Sequence, residues 1–577
     1  MTGLVWMLLA NAGVLLGARR LTTRFATGHS ATDAALFFLF RLMLISAAVL
    51  AAGALHVLHP WVLGLAGGVA AGALIAAGAH REFLPWWKVA NVPAVYLLAA
   101  LAARLLLHAW FLSPFLGDVT SYHLPKVAEW VVHGTIFTDL GPDRRSWFPA
   151  GLELVDTWWV VFLRHDVLIE MAGIEFLALG AASTVALASR LGLAPSAALL
   201  AGAVYATVPA MMIQSVFAIN DAAVAALVVM AAALIVGKVH PALILATAGV
   251  GLGVKPTFAF AAPGMIVLWL WLRKAGSAEP PSPRPSRAVW AVAALALLIG
   301  SVWYGRNAVL FGNPLYPAGT AALQFGEKSL LHRVGPSPEN LAKNLSDLDG
   351  RILDRRRGAG GMLEYIAGWG TGAFAFGLIG LLWAVRTSTN WRRIAACFLL
   401  SLASVLTLAE NDIWFLRFVL FFPAILAVAA AALAEEVRPL RLPLVLVTLL
   451  TLVGTFFTED MPREAFLRSA RLDWRRRSFG PDVGVPDVPY SRVGCYGDVS
   501  SMASLLYGPD FSRDVVYLRP SSAEELIESM ERRNLPALYA LTRYDRNGWG
   551  ELLARCVASG RLRPLEAGGP WYVLVPK

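Results

Sequence analysis

The sequence predicts an α-helical polytopic membrane protein of about 12–14 transmembrane helices, closed by a small C-terminal α/β domain. Three observations carry that expectation. The 577 residues are 57% hydrophobic and only 15% charged, whereas soluble domains carry about 25% charged residues. Apolar runs recur along most of the chain, and many approach the ~20 residues that cross a hydrocarbon core. From about residue 490 the pattern changes to short β-rich runs alternating with helical ones. A large soluble helical protein is disfavoured, because its helices would carry one apolar face, whereas these are apolar all round.

Spans are read near 4–18, 34–58, 61–79, 89–113, 167–189, 195–211, 219–237, 241–254, 257–272, 288–304, 363–385, 394–409, 413–434 and 442–458. The two that meet at Lys255-Pro256 also read as one broken helix, since proline interrupts the hydrogen-bond ladder. Arg19, Arg20 and Arg24 follow the first apolar run instead of preceding it. That run is therefore expected to stay as a helix with its N-terminus outside, and not to be a cleaved signal. Counting onward, these arginines share one side with Arg81, Lys88, Arg190, Lys238, Arg273, Lys274, Arg284, Arg287, Arg386, Arg392, Arg393, Arg438 and Arg441. The positive-inside bias makes that side cytoplasmic. The proline-rich stretch 279–285 is then a cytoplasmic linker. Loops 114–166 and 305–362 and everything after residue 459 lie outside. Arg355, Arg356 and Arg357 sit in the second of those loops, and long loops are largely exempt from the bias. The division expected is N-terminal helices over 1–88, a membrane core over 89–458 and a soluble extracytoplasmic domain over 459–577. The location expected is the plasma (inner) membrane.

The net charge of +10 reflects basic clusters between apolar runs. With no nucleic-acid motif visible, nucleic acid is not an expected partner. Membrane lipids are, and some cations remain for an anionic substrate or headgroups. Cys397 lies in an apolar run, and Cys495 and Cys556 lie in the tail. They make no metal motif. Two independent buried thiols are expected in the tail, a Cys495–Cys556 disulfide being the alternative. Strands are expected at Arg492–Tyr496, Asp514–Leu518, Ala537–Thr542, Leu562–Leu565 and Trp571–Val575, the last two joined by a turn at Gly568-Gly569. Ser522 with Glu525 reads as a capping box opening a helix over 523–533. The tail shows no glycine-rich phosphate loop and no obvious nucleophile, which leaves acceptor recognition or a structural lid.

The most informative segment is 117–130, GDVTSYHLPKVAEW. It follows an apolar helix ending near Phe115, which puts Asp118 at the rim of the membrane. From Tyr122 to Ile136, polar residues (Lys126, Glu129, His133) alternate with apolar ones (Val127, Trp130, Val131) at helical spacing, as in a helix lying in the interface. An acid at such a rim can take a proton from an acceptor hydroxyl while a lipid-borne substrate arrives laterally. Alternatively, Asp118 caps the following helix.

This segment, with others downstream, resembles the polytopic GT-C glycosyltransferases that use polyprenyl-phosphate sugars, including the protein O-mannosyltransferase-like family 39. Asp118–Trp130 is similar to the Asp-x-x-x-Tyr-His-x-Pro pattern of bacterial members. Further matches are Trp147-Phe148-Pro149 with Glu153, Asn220-Asp221, Gly253-Val254-Lys255-Pro256-Thr257, Arg306-Asn307 and Phe311-Gly312-Asn313-Pro314-Leu315-Tyr316-Pro317. The resemblance covers roughly 89–430, and three helices before residue 89 depart from the family's usual single one. It implies a GT-C-like catalytic core over 89–458 and transfer of a sugar from a polyprenyl-phosphate donor to a lipid, glycan or protein acceptor. Asp118 would be the base, or its metal-holding equivalent, and the anomeric carbon would invert.

The leaving phosphate needs cationic donors. Lys126, Lys255, Arg306 and Arg417 are candidates, with Tyr122, His123 and Asn307 as further substrate-binding residues. A solvated helix face is the alternative for Lys126. Lys255 is flanked by apolar runs, where a charge costs ~2.5–3.5 kcal/mol at a helix centre and usually faces a cavity or partner. Asp221 is a second catalytic acid, or with Asn220 a helix cap. Asp118, Asp221 and His123 are candidate ligands for a divalent metal ion, His123 being alternatively a hydrogen-bonded surface group. No other cofactor is expected. Glu129 and Glu153 are lesser acids. Trp147, Tyr316 and Trp414 are candidates to stack on a sugar, against an interfacial aromatic belt. Two other classes compete: a transporter or flippase, which would show paired broken helices in matching halves, and a non-catalytic scaffold of an envelope-assembly complex.

Overall fold

The computed structural model describes residues 2–79, 93–111, 118–141, 143–274, 287–320, 332–334, 337–352, 368–370, 372–409, 415–455, 488–497, 503–508, 510–541, 549–566 and 570–576. Arg81, Lys88, Arg284, Arg355, Arg356, Arg357, Trp414, the stretch 279–285 and the Gly568-Gly569 turn lie outside the described residues. In chain order the helical part comprises α1 (Thr2–Arg24), α2 (Ser30–Ala54), α3 (Pro60–Ala76), α4 (Pro93–Phe111), α5 (Leu124–His133), α6 (Gly151–Val161), α7 (Met171–Arg190), α8 (Pro195–Ala206), α9 (Pro209–Ser215), α10 (Asp221–Val236), α11 (Pro241–Val254), α12 (Ala262–Lys274), α13 (Arg287–Phe311), α14 (Pro338–Ile352), α15 (Gly377–Thr387), α16 (Thr389–Leu408), α17 (Phe422–Glu436) and α18 (Arg441–Gly454).

Among the described residues, 7 helices are long and apolar enough to cross a membrane: α1, α2, α4, α7, α12, α13 and α16, counting the short turns that lead into α7 and α12. The chain is a multi-pass helical membrane protein. The expected span 195–211 is two helices, α8 and α9, bent by 65° where Pro209 opens the second. The break expected at Lys255-Pro256 is present. α11 stops at Val254, Lys255 is extended, and a 3-10 turn over Pro256–Ala261 leads into α12. Other expected spans are short. The 16 residues of α10 rise ~24 Å, less than the ~30 Å hydrocarbon core. Every residue from Asp221 to Ile235 is buried, so this apolar run serves helix packing on all sides.

Small residues set the tightest contacts, as in other membrane bundles. A Cβ on Gly13 of α1 would lie 2.4 Å from the carbonyl oxygen of Gly67 in α3, and one on Gly300 of α13 would lie 2.1 Å from that of Gly249 in α11. The N-terminal helices are also locked by charge. Arg41 of α2 donates to Glu175 of α7 through Nε (2.9 Å) and Nη2 (2.8 Å). Asn11 of α1 accepts from Arg41 at 2.8 Å, and Trp159 of α6 donates to Glu175 at 3.1 Å. An ion pair with this many supporting hydrogen bonds is tolerated in an apolar interior, whereas one half of it alone is not.

The tail holds β3 (Arg492–Gly497), β4 (Asp514–Tyr517), β5 (Ala537–Leu541), β6 (Leu562–Pro564) and β7 (Trp571–Leu574), following a pair of three-residue strands, β1 (Ala318–Thr320) and β2 (His332–Val334). The tail strands make one sheet in the order β4-β3-β5-β7-β6. β3 is parallel to β4 and β5, and β7 is antiparallel to β5 and β6. Its helices are α19 (Ala523–Arg532) and α20 (Trp549–Ala558). Ser522 caps α19 by accepting from the Glu525 N–H at 3.1 Å. The return bond of the expected capping box falls one residue early, with Glu525 accepting from the Ser521 N–H. Cys495 and Cys556 are free, buried thiols, as expected.

Side chains alternate along these strands. Tyr496, Leu538 and Ala540 pack with Leu526, Met530 and Leu553 of α19 and α20. Val493, Cys495, Val515, Tyr517, Tyr539 and Trp571 point the other way and are continuous with the core of the bundle. The tail therefore uses the membrane part as its second layer. The contact runs along α5, where the Tyr507 hydroxyl donates to Glu129 at 2.5 Å and lies 3.0 Å from that of Tyr517. His133 sits 3.1 Å from Glu129 and 3.5 Å from Asp514, which also pairs with Arg492 at 2.8 Å. Arg164 donates to the Phe511 carbonyl at 2.7 Å. α5 does keep the expected polar-apolar spacing, but it is not half-exposed in the interface: Lys126 and Glu129 are buried, Lys126 against Glu153 of α6 and Glu129 against Tyr507 of the tail.

Glu175→Ala should destabilise the protein by about 3–5 kcal/mol by stranding Arg41. The double variant Arg41→Met with Glu175→Leu should recover most of that in thermal unfolding in detergent. Tail docking should depend on pH. The hydrogen bond to Glu129 raises the pKa of His133 from its ordinary 6.5, and burial raises that of Glu129. Both groups bind protons more tightly docked, so docking is strongest in acid and is lost as pH rises through and beyond ~6.5. Limited proteolysis of the tail should therefore speed up between about pH 6 and about pH 9, and His133→Gln should flatten that dependence.

Candidate active site

Asp118 precedes a π-turn over Val119–His123, closed by the Leu124 N–H on the Val119 carbonyl, which runs into α5. Pro125 has no N–H to continue a regular ladder here, and such wide turns recur at functional sites. The Asp118 side chain makes no capping bond to the helix that follows. Instead its Oδ1 accepts from Nη1 of Arg145 at 3.0 Å, and its Oδ2 from Nη1 of Arg417 at 3.3 Å. Asp221 opens α10, and Asn220 before it makes no side-chain cap either. The Asp221 Oδ1 accepts from Lys255 Nζ at 2.5 Å, and Oδ2 lies 3.3 Å from Arg417 Nε. Arg417 stands in the 3-10 turn Phe415–Val419 ahead of α17. One guanidinium thus joins two carboxylates that are far apart in sequence, and Lys255 completes the row.

Burial opposes ionisation of Asp118, yet Arg417 and Arg145, with His123 and Lys255 farther out, hold its carboxyl below the usual carboxylate range. The cluster is open on one side. The side chains of Asp118, Arg145, Arg417 and Lys255 are 20%, 33%, 17% and 19% exposed, whereas Asp221 is 1% exposed beneath them.

The remaining expected residues form two neighbouring groups. Lys126 Nζ (2.5 Å) and His123 Nδ1 (3.1 Å) converge on Oε1 of Glu153 in α6. All three are buried. Burial would raise the Glu153 pKa, but the two donors pull it down to about 2. One helical turn on, Asp156 is fully buried, and neither oxygen has a hydrogen-bond partner among the described residues. Burial and the Glu153 charge push its pKa well up, which favours the neutral form. Arg306 donates from Nη2 to the Trp147 carbonyl at 2.9 Å and lies 5.1 Å from the centres of the Trp147 and Trp303 rings. Asn307 Nδ2 donates to the carbonyls of Trp147 (2.9 Å) and Tyr316 (2.8 Å). Tyr316 stacks on Phe311 at 4.0 Å, and Trp147 meets the same ring edge-on. Arg306 and Asn307 thus bind backbone and fix an aromatic group.

The sequence reading did not single out Arg145. It stands in the turn Arg144–Trp147, where Asp143 caps its N–H and grips its guanidinium, and its guanidinium carbon lies 4.7 Å from the centre of the Tyr122 ring. The signal was a pair of arginines, Arg144 and Arg145, one residue ahead of Trp147-Phe148-Pro149. The three candidate metal ligands share no common point of coordination: Arg417 stands between Asp118 and Asp221, and His123 turns to Glu153. No group of three His, Cys, Asp or Glu side chains able to hold a metal occurs among the described residues. In comparisons with known proteins, no family model and no curated protein matches the chain.

Glu153→Leu strands the buried ammonium of Lys126 and should cost about 3–5 kcal/mol. Asp156→Asn replaces one neutral group by another and should cost less than about 1 kcal/mol. Thermal unfolding of the two purified variants checks the contrast.

Proposed function

We propose that this protein is a membrane glycosyltransferase of the GT-C type, with about 12–14 membrane helices and its C-terminal domain on the extracytoplasmic side. It moves a sugar from a polyprenyl-phosphate donor onto a lipid, glycan or protein hydroxyl in the cell envelope. The observation that carries the reading is the convergence of Asp118 and Asp221 with Arg145, Arg417 and Lys255 in one partly exposed row at the end of an apolar bundle. Neither acid is used as a helix cap, and three cations stand where a leaving phosphate needs them.

The acceptor oxygen attacks the anomeric carbon, and its proton passes to an Asp118 oxygen. The bond from the anomeric carbon to the phosphate oxygen breaks, and its electron pair leaves with the polyprenyl phosphate, so the anomeric centre inverts. Arg417 and Arg145 supply forked donors for phosphate oxygens and Lys255 a point charge. Asp221 holds Arg417 and Lys255 in place. Trp147 and Tyr316, fixed by Arg306 and Asn307, offer aromatic faces for a sugar. Lys126 and His123 act through Glu153, as supports of the turn that carries Asp118. A second reading, a flippase for an anionic amphipath, draws on the two broken helices at α8–α9 and α11–α12. It is weakened by the position of the row at helix ends, while the mid-helix charge Arg41 is already engaged by Glu175.

Proteoliposomes given a panel of labelled polyprenyl-phosphate sugars should release polyprenyl phosphate, and Asp118→Asn should slow that by about 10²–10⁴-fold while remaining folded. Release at the wild-type rate by the variant would remove Asp118 as base. Lipid movement across the bilayer without sugar release would favour the flippase. For sidedness, a cysteine replacing the exposed Arg532 of α19 should react from outside intact spheroplasts; reaction only after lysis would reverse the orientation.

A further inference from the structure

Asp118 is not available as a base in the arrangement described, because each of its oxygens is engaged by an arginine. Arg145 and Arg417 are, however, anchored elsewhere as well. Arg145 is gripped by Asp143 at 2.8 Å and lies over Tyr122. Arg417 reaches Asp221 through Nε at 3.3 Å. Each guanidinium can let go of Asp118 and keep its second carboxylate. Both are partly exposed, at 33% and 17%, on the open side of the row. Among the described residues of the row, the cations Arg145, Arg417 and Lys255 face the carboxylates Asp118, Asp143 and Asp221, so an arriving anion must compete for donors already in use. A phosphate offers the arginine fork a better-matched, more highly charged acceptor than one carboxylate oxygen.

We propose that the donor's phosphate and the Asp118 carboxylate compete for Arg145 and Arg417, so that the base is released only once the phosphate is seated. Arg145 is then a donor-binding residue, and donor binding precedes proton abstraction. The idle site carries a masked base and does not activate water. This inference rests on the proposed donor class.

A double-mutant cycle on binding of sugar-free polyprenyl phosphate, measured by thermal shift in detergent with the prenyl alcohol as control, separates the two claims. Wild type should bind the phosphate and not the alcohol. Asp118→Asn, which removes the competitor, should tighten binding about tenfold, and Arg145→Gln should weaken it about tenfold. In the Arg145→Gln background, the gain from Asp118→Asn should fall by at least half, since one of the contested donors is gone. Arg145→Lys, which keeps the charge without the fork, should lie between wild type and Arg145→Gln. If wild type binds but Asp118→Asn binds no tighter, the competition is disproved and the donor class stands. A gain that is the same with and without Arg145 marks general charge repulsion and also overturns the gate. If wild type fails to bind polyprenyl phosphate, both the donor class and the gate fall.

Discussion

Arg417 is the contact on which the arrangement of the polar end of the bundle depends. Its guanidinium meets Asp118 at the mouth of the first long loop and Asp221 at the start of α10. Those carboxylates come from elements separated by about a hundred residues, and Arg417 follows nearly two hundred residues later. A charge at the end of an apolar bundle is poorly hydrated, so it must find partners among whatever else is polar nearby. Here every cation in the row has a carboxylate, and Asp221 has two cations. That mutual satisfaction fixes how the loop, α10, the end of α11 and the entry to α17 sit against one another.

The same constraint explains the deeper layer. Glu153, Lys126 and His123 are buried under the turn that carries Asp118, and they stay charged or polar only because two donors share one oxygen. Asp156 has no such donor among the described residues, and burial there favours its neutral form. The Arg41–Glu175 pair plays the corresponding role at the N-terminal side. It makes the three leading helices part of the bundle, beside the region that resembles GT-C enzymes.

Much of the fold was legible in the sequence because the signals are local. Hydropathy located the long helices, Pro256 marked a break, and short β-rich runs placed the tail strands. Asp118, Asp221, Lys255 and Arg417 were legible as chemistry because charged residues beside apolar runs are conspicuous. What stayed hidden was pairing over distance. Arg145 is 27 residues from Asp118 and reads in sequence as an ordinary loop cation. Lys126 read as a phosphate donor or a solvated face, because nothing local says that Glu153 lies beside it. The bend at Thr207-Val208 was also missed, since hydropathy sums over a kink as readily as over a straight helix.

The tail shows why domain boundaries drawn from composition mislead here. Its strands alternate as a sheet with two buried faces, yet among the described residues the two α-helices of the tail pack on only one of them. The other face, with Val515, Tyr517 and Tyr539, is completed by the bundle through α5. α5 is therefore held at both ends: Tyr507 and Asp514 grip it at Glu129 and His133, and the π-turn before it carries Asp118 into the arginine row. A displacement of the tail would be felt at α5 first, because α5 is a single rigid helix between the two contacts. The tail thus reaches the polar row through α5, and none of its described residues belongs to the row. That is how an α/β module lacking a phosphate loop or a nucleophile of its own can still govern the geometry of a site built in the membrane part.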